Sequence, residues 1–240
     1  MGDERPRVGL TSVPGSGQNE GVKRVTLTFD NGPSPVVTDR VLATLATHGV
    51  SAVFFVIGQR AATYEGRVRV RDAVAAGHRV GNHTWTHSVP FGELDDASVR
   101  YEIDDTVRLV NALGGDGRLF RPYGVGGVLD HRLMSPFGSR HLQSIGATVV
   151  SWTSVPGDWL DPVGWVETAL ADVDTQQWPV VVLHDVEGAG ADRLDDFLVA
   201  LRERGVEFRQ DFPAECVHID AGVPTAAYGA LQTDVGAPHG

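Results

Sequence analysis

Val25-Thr26-Leu27-Thr28-Phe29-Asp30-Asn31-Gly32-Pro33 is an apolar run in strict alternation that stops on an acid, an amide and a Gly-Pro pair. Period-two alternation predicts a half-buried strand, and Gly-Pro predicts a sharp turn at its end. A carboxylate and an amide side chain therefore stand at a strand's C-terminal edge. Outward from this stretch, strands are predicted at 24–29, 52–57, 79–82, 118–121, 147–152, 180–184 and 207–209. Helical patterns fall between them at 36–47, 68–76, 97–113, 129–144, 163–173 and 191–204. Such alternation implies parallel strands joined by right-handed crossovers. It fits an α/β fold of one domain, a closed or nearly closed barrel of about seven parallel strands. An open doubly wound sheet is the competing arrangement. Both put ligands at the C-terminal ends of strands.

Of 240 residues, 42% are hydrophobic and 21% charged, ordinary for a chain with a sizeable core. The net charge of −11 argues against nucleic acid and anionic membranes as partners. No apolar stretch has the length of a membrane span. Residues 1–21 contain no apolar segment of signal-peptide type, so the chain as written is expected in the cytoplasm, or secreted if a leader has been trimmed. Cys216 is alone, which excludes an intramolecular disulfide and a thiolate metal site. Segments 1–22 and 219–240, rich in Gly, Pro and Ala, are expected to be flexible tails around a domain at 23–218.

Four further motifs follow predicted strand ends: His83-Thr84-Trp85-Thr86-His87, Arg121-Pro122-Tyr123-Gly124, Asp158-Trp159 and Leu183-His184-Asp185. Each is ordinary alone. Asp-Asn-Gly-Pro is turn chemistry, and nine histidines give an i,i+4 pair by chance fairly often. An arginine at a strand end is usually a surface charge. Their common placement at one edge of the barrel argues for a site. Two histidines four apart can share one ion. Arg121 can clamp and orient Asp30. Glycines 124, 126 and 127 let a backbone N–H approach a substrate oxygen. His184 beside a carboxylate from another loop can act as a general acid. Trp159 next to an acid suits a sugar site.

In these residues, together with Ala52-Val53-Phe54-Phe55-Val56-Ile57-Gly58, the chain resembles the NodB-type polysaccharide deacetylases, carbohydrate esterase family 4. The resemblance runs from about residue 25 to 208 and implies a distorted (β/α) barrel with fewer than eight strands. It implies Asp30 as catalytic base, Asn31, His83 and His87 as ligands of a divalent ion (Zn²⁺ foremost), and Arg121 as the group orienting Asp30. It further implies Tyr123 N–H in an oxyanion hole, His184 as general acid tuned by Asp158, and Trp159 and Leu183 walling an acetyl pocket. Asn31 stands where the usual motif has a second aspartate, so the ion would be held with one charge fewer. The implied reaction is removal of an acetyl group from an N-acetylated sugar. Two alternatives remain: hydrolysis of a small amide or cyclic imide on the same scaffold, and a non-catalytic carbohydrate-binding barrel with Trp85 and Trp159 as platforms.

Overall fold

The computed structural model describes residues 21–231. Seven parallel strands form in the predicted places: β1 (Arg24–Asp30), β2 (Val53–Val56), β3 (Arg79–Asn82), β4 (Leu119–Phe120), β5 (Thr148–Val150), β6 (Val180–His184) and β7 (Glu207–Arg209). They alternate with α1 (Pro35–Thr47), α2 (Gly58–Ala61), α3 (Tyr64–Ala75), α4 (Asp96–Ala112), α5 (Pro136–Ser144), α6 (Trp165–Thr175) and α7 (Leu194–Glu203). The sheet runs β6-β1-β2-β3-β4-β5, and β7 pairs with the first three residues of β1. The sheet curls until the segment after β5 reaches β6, where Ser154 pairs in parallel with Val181. This is a distorted, mostly parallel barrel in one α/β domain.

Alternation along β1 sets the two faces of the sheet. Val25, Leu27 and Phe29 point into a core shared with α1, α6 and α7. Thr26, Thr28 and Asp30 take the opposite face, since residues two apart share a side. Phe29 stacks on Phe54 of β2 at 5.1 Å between centroids, an aromatic pair worth about 0.5–1.5 kcal/mol beyond its buried area. α1 buries Val37, Val41 and Leu45, and α7 buries Leu194, Phe197, Leu198 and Leu201, each one helical stripe. Fully burying one such aliphatic side chain contributes about 1.5–3 kcal/mol.

Three expectations change. The helix predicted over 129–144 begins only at Pro136, because Ser135 caps it through Gly138 N–H at 3.0 Å and proline suits the first helical position. The chain before it makes a 3-10 turn at His131–Leu133. The short helix α2 was not foreseen. The expected tail is corrected from 219 onward: β8 (Val217–Asp220) pairs antiparallel with β5, β9 (Val223–Pro224) pairs with β8, and Ile219 is buried. The ordered domain therefore continues past 218, to Leu231 among the described residues. The expected N-terminal tail lies almost wholly outside the described residues. No described helix is long and apolar enough to cross a membrane.

Candidate active site

The C-terminal ends of the strands converge on one cavity of about 280 Å³. Asp30, Asn31, His83, His87, Tyr123, Trp159 and His184 all line it. Asp30 and His184 are register partners on the adjacent strands β1 and β6. That pairing sets the two groups side by side without any loop to position them.

Arg121 reaches Asp30 from the end of β4. Its side chain is wholly buried, with Nη1 donating to Asp30 Oδ1 at 3.0 Å and to Thr28 Oγ1 at 2.6 Å. Nη2 donates to the Ser151 carbonyl at 3.1 Å. The guanidinium lies 4.2 Å from the Phe55 ring centroid and 5.7 Å from that of Trp152. A planar guanidinium held by three acceptors and two rings presents one fixed donor to the Asp30 carboxylate. The second Asp30 oxygen is 3.6 Å from His83 Nε2.

His83 and His87 have ring centroids 4.7 Å apart. His83 Nδ1 is 2.9 Å from the Arg121 carbonyl, so it donates there and leaves Nε2 as the free lone pair. Burial lowers the pKa of both, that of His87 to about 2, with further lowering at His87 from His83. Neutral imidazoles are the form that binds metals. Thr84 and His87 have φ of 69° and 54°, left-handed values that cost side-chain-bearing residues of order 1–3 kcal/mol each.

Asn31, at φ 72°, has a buried Oδ1 with no hydrogen-bond partner among the described residues. Such an orphaned acceptor is expensive unless something occupies it. Two neutral imidazoles and an unpartnered amide oxygen, lining one cavity, fit a divalent cation. Among the described residues no three His, Cys, Asp or Glu side chains cluster as a cation site, and the orphaned Asn31 amide oxygen is a candidate third donor beside the two imidazoles.

Asp158 is buried and grips His184 twice, through the ring and through the backbone N–H. Burial acts to lower the His184 pKa, but the hydrogen bond and charge of Asp158 outweigh it, and the net shift is upward. Trp159 meets the His184 ring edge-on at 4.8 Å. Gly126 and Gly127, at φ 61° and 77°, turn the loop after Tyr123 along the cavity wall, where Trp152 Nε1 donates to the Gly127 carbonyl at 2.8 Å. No described residue accepts the Tyr123 backbone N–H.

Two expectations are not met. Leu183 is not in the cavity wall: strand alternation turns it into the helix-facing core with Phe29 and Val181, and Val182 lines the cavity instead. Trp85 also lies outside, edge-on to Tyr101 with centroids 6.0 Å apart. Asp185, quoted with His184 in the sequence, turns beneath the Asn31–Gly32 turn. A Cβ on Gly32 would come within 2.1 Å of its carboxylate. Asp185 Oδ2 accepts from Thr38 Oγ1 at 2.6 Å, Oδ1 has no partner, and burial pushes its pKa up to about 7.

The family profile for polysaccharide deacetylase matches residues 17–130. The chain is 34% identical to the chitooligosaccharide deacetylase of Sinorhizobium fredii over 82% of its own length and 86% of that protein's. It is 29% identical to the peptidoglycan-N-acetylglucosamine deacetylase PgdA of Listeria monocytogenes over 78% of its length, but spans only 37% of PgdA. Among solved structures, a family 4 acetyl xylan esterase from Clostridium thermocellum in complex with a cobalt ion superimposes with a TM-score of 0.65 at 30% identity, covering 78% of this chain and 88% of that one. The chain belongs to the polysaccharide deacetylase family.

Proposed function

We propose that this protein hydrolyses the acetamido group of an N-acetylated sugar in a glycan of chitin or peptidoglycan type, releasing acetate and a free amine. The observation that carries the reading is the Asp30–His184 pair: two groups on adjacent strand ends, each fixed by its own buried partner, facing one cavity. That is a base and an acid on opposite duties within one substrate's reach. A cavity of about 280 Å³ suits the acetamido edge of one sugar, with the rest of the glycan lying outside.

Asn31, His83 and His87 would hold a divalent ion, with Zn²⁺ the best match to two imidazoles and an oxygen, and when bound it supplies Lewis-acid polarisation of the acyl carbonyl. Asp30 accepts a proton from the attacking water, and Arg121 keeps its carboxylate aimed at that water. The Tyr123 N–H donates to the oxyanion as the carbonyl carbon becomes tetrahedral. His184, charged before the step, gives its proton to the departing nitrogen as the carbon–nitrogen bond breaks. Asp158 stabilises that charge and fixes the ring. Trp159, against His184, shields the acyl methyl from water.

The test is amine release from N-acetylated chitin oligomers and from peptidoglycan fragments, before and after chelation and on adding back Zn²⁺ or Co²⁺. Amine release that chelation abolishes and metal restores supports the reading. Full activity after exhaustive chelation sinks the metal-assisted mechanism and moves the small cyclic-amide reading ahead. Binding of oligomers without any turnover leaves the barrel as a carbohydrate binder.

A further inference from the structure

α4 carries an apolar stripe of Val99, Ile103, Leu109 and Val110, and within that buried face sits a carboxylate, Glu102. No described arginine, lysine or histidine forms a salt bridge with it. Its partners are instead the His83–His87 loop. Oε2 accepts from Trp85 N–H at 2.7 Å and from Thr86 N–H at 2.8 Å, and Oε1 accepts from Thr86 Oγ1 at 2.5 Å. The opposite side of the same loop is held by α2, where Gly58 N–H donates to the Thr84 carbonyl and Gln59 N–H to the Trp85 carbonyl, both at 2.9 Å. Asn82 ties the loop's start to α4 by donating to the Ile103 carbonyl at 3.1 Å, while its Oδ1 accepts from Thr84 N–H.

We propose that Glu102 is a positioning residue for the imidazole pair: its carboxylate takes the Trp85 and Thr86 N–H groups between Thr84 and His87, whose own N–H groups go to Asn82 Oδ1 and Thr84 Oγ1, and so holds the segment in which Thr84 and His87 are left-handed. The inference rests on the reading of His83 and His87 as metal ligands. The reason is geometric. The successive N–H groups of Trp85 and Thr86 aim to one side and share a single acceptor oxygen, and a carboxylate on a rigid helix supplies it. With it, the loop has one conformation and the two rings stay 4.7 Å apart. Without it, Thr84 and His87 relax toward negative φ and the His87 ring leaves its partner. Outer groups that orient metal-binding side chains in this way commonly change metal affinity by about 10–100-fold when altered.

Two substitutions in the full chain separate geometry from charge. Glu102→Asp keeps the charge but withdraws the carboxylate by one methylene. Glu102→Gln loses the charge but keeps an oxygen for the two N–H groups and an amide that can donate to Thr86 Oγ1. Hydrogen exchange at the Trp85 and Thr86 amides and Co²⁺ titration followed by visible absorption are read on both. In Glu102→Asp, exchange at those amides should quicken roughly tenfold or more while the buried amides of β3 and α4 hold. Its Co²⁺ dissociation constant should rise about 10–100-fold. Glu102→Gln should stay near wild type in both. The proposal is overturned if Glu102→Asp matches wild type, if Glu102→Gln is the worse of the two, or if exchange quickens uniformly across the protein. Wild type that takes up no Co²⁺, with amides still protected by Glu102, would end the metal reading and leave the positioning role standing.

Discussion

Asp158 holds His184 at two points, with Oδ1 2.7 Å from the imidazole Nδ1 and Oδ2 2.8 Å from the backbone N–H. One carboxylate thus fixes both the ring and the chain that carries it, and leaves Nε2 to face the cavity. Burial opposes protonation of the ring, and the hydrogen bond and charge of Asp158 prevail, so the pKa lies above the usual imidazole value. An acid catalyst with a raised pKa stays charged further into alkali. Asp158→Asn should therefore move the alkaline limb of the kcat/KM profile to lower pH and reduce its plateau. The stability that the charged pair contributes is present below the unfolded imidazole pKa and is lost as pH rises through the folded one. The gap in Tm between wild type and variant should accordingly narrow in alkali. An alkaline limb that stays in place in the variant would assign it to another group.

Asp30→Asn removes a base and preserves shape. Turnover should fall about 10²–10⁴-fold, the usual size of a lost general base. Metal uptake should be largely intact, since Asn31, His83 and His87 remain. Steady-state amine release together with Co²⁺ titration checks both halves. Activity equal to wild type would remove Asp30 from the mechanism.

Arg121 has no solvent exposure, and Asp30 is nearly as buried. Breaking such a pair by deleting one partner costs about 3–5 kcal/mol, because the other charge is left buried and unpaired. Arg121→Met should show that loss in urea denaturation at neutral pH, and Arg121→Met with Asp30→Asn together should recover much of it. If the double variant is no more stable than the single one, the loss came from Thr28, Ser151 and the ring contacts and not from the ion pair.

The barrel and most of the site were legible because they rest on periodicity and on strand ends. β3, β6 and β7 fall where alternation placed them, and Asp30, His83, Arg121 and His184 stand at or just beyond strand termini. Leu183 was misplaced by reading a motif as a unit: one residue along a strand reverses the face, so the wall belongs to Val182. The C-terminal hairpin was missed because Val217 to Pro224 is short and followed by Gly, Ala and Pro, which look like a tail until Ile219 is seen opposite Val149. Glu102 did leave a signal, an acid within the apolar stripe of a long helix. Its meaning needed the loop that folds against it.

Asn31→Asp tests the residue at which the chain departs from its family's usual motif. Asn31 sits at φ 72°, and aspartate tolerates the left-handed region as asparagine does, so the backbone should not object. Electrostatics should. The new carboxylate lies next to Asp30 and close above the turn that covers Asp185, and without a cation the three acids repel. With a cation bound, the same charge becomes a ligand and attracts it. The chelated variant should therefore melt below chelated wild type, and saturating Zn²⁺ or Co²⁺ should raise its Tm by more, since a ligand stabilises the fold in proportion to how tightly the folded state holds it. The advantage should fade in acid as the carboxylate protonates. Turnover need not follow affinity, because a more fully neutralised ion is a weaker Lewis acid. Thermal melts of both proteins in chelator and across a metal titration at neutral pH decide it. Equal metal-induced shifts would mean that the side chain at 31 does not touch the ion, and the orphaned oxygen would need another partner.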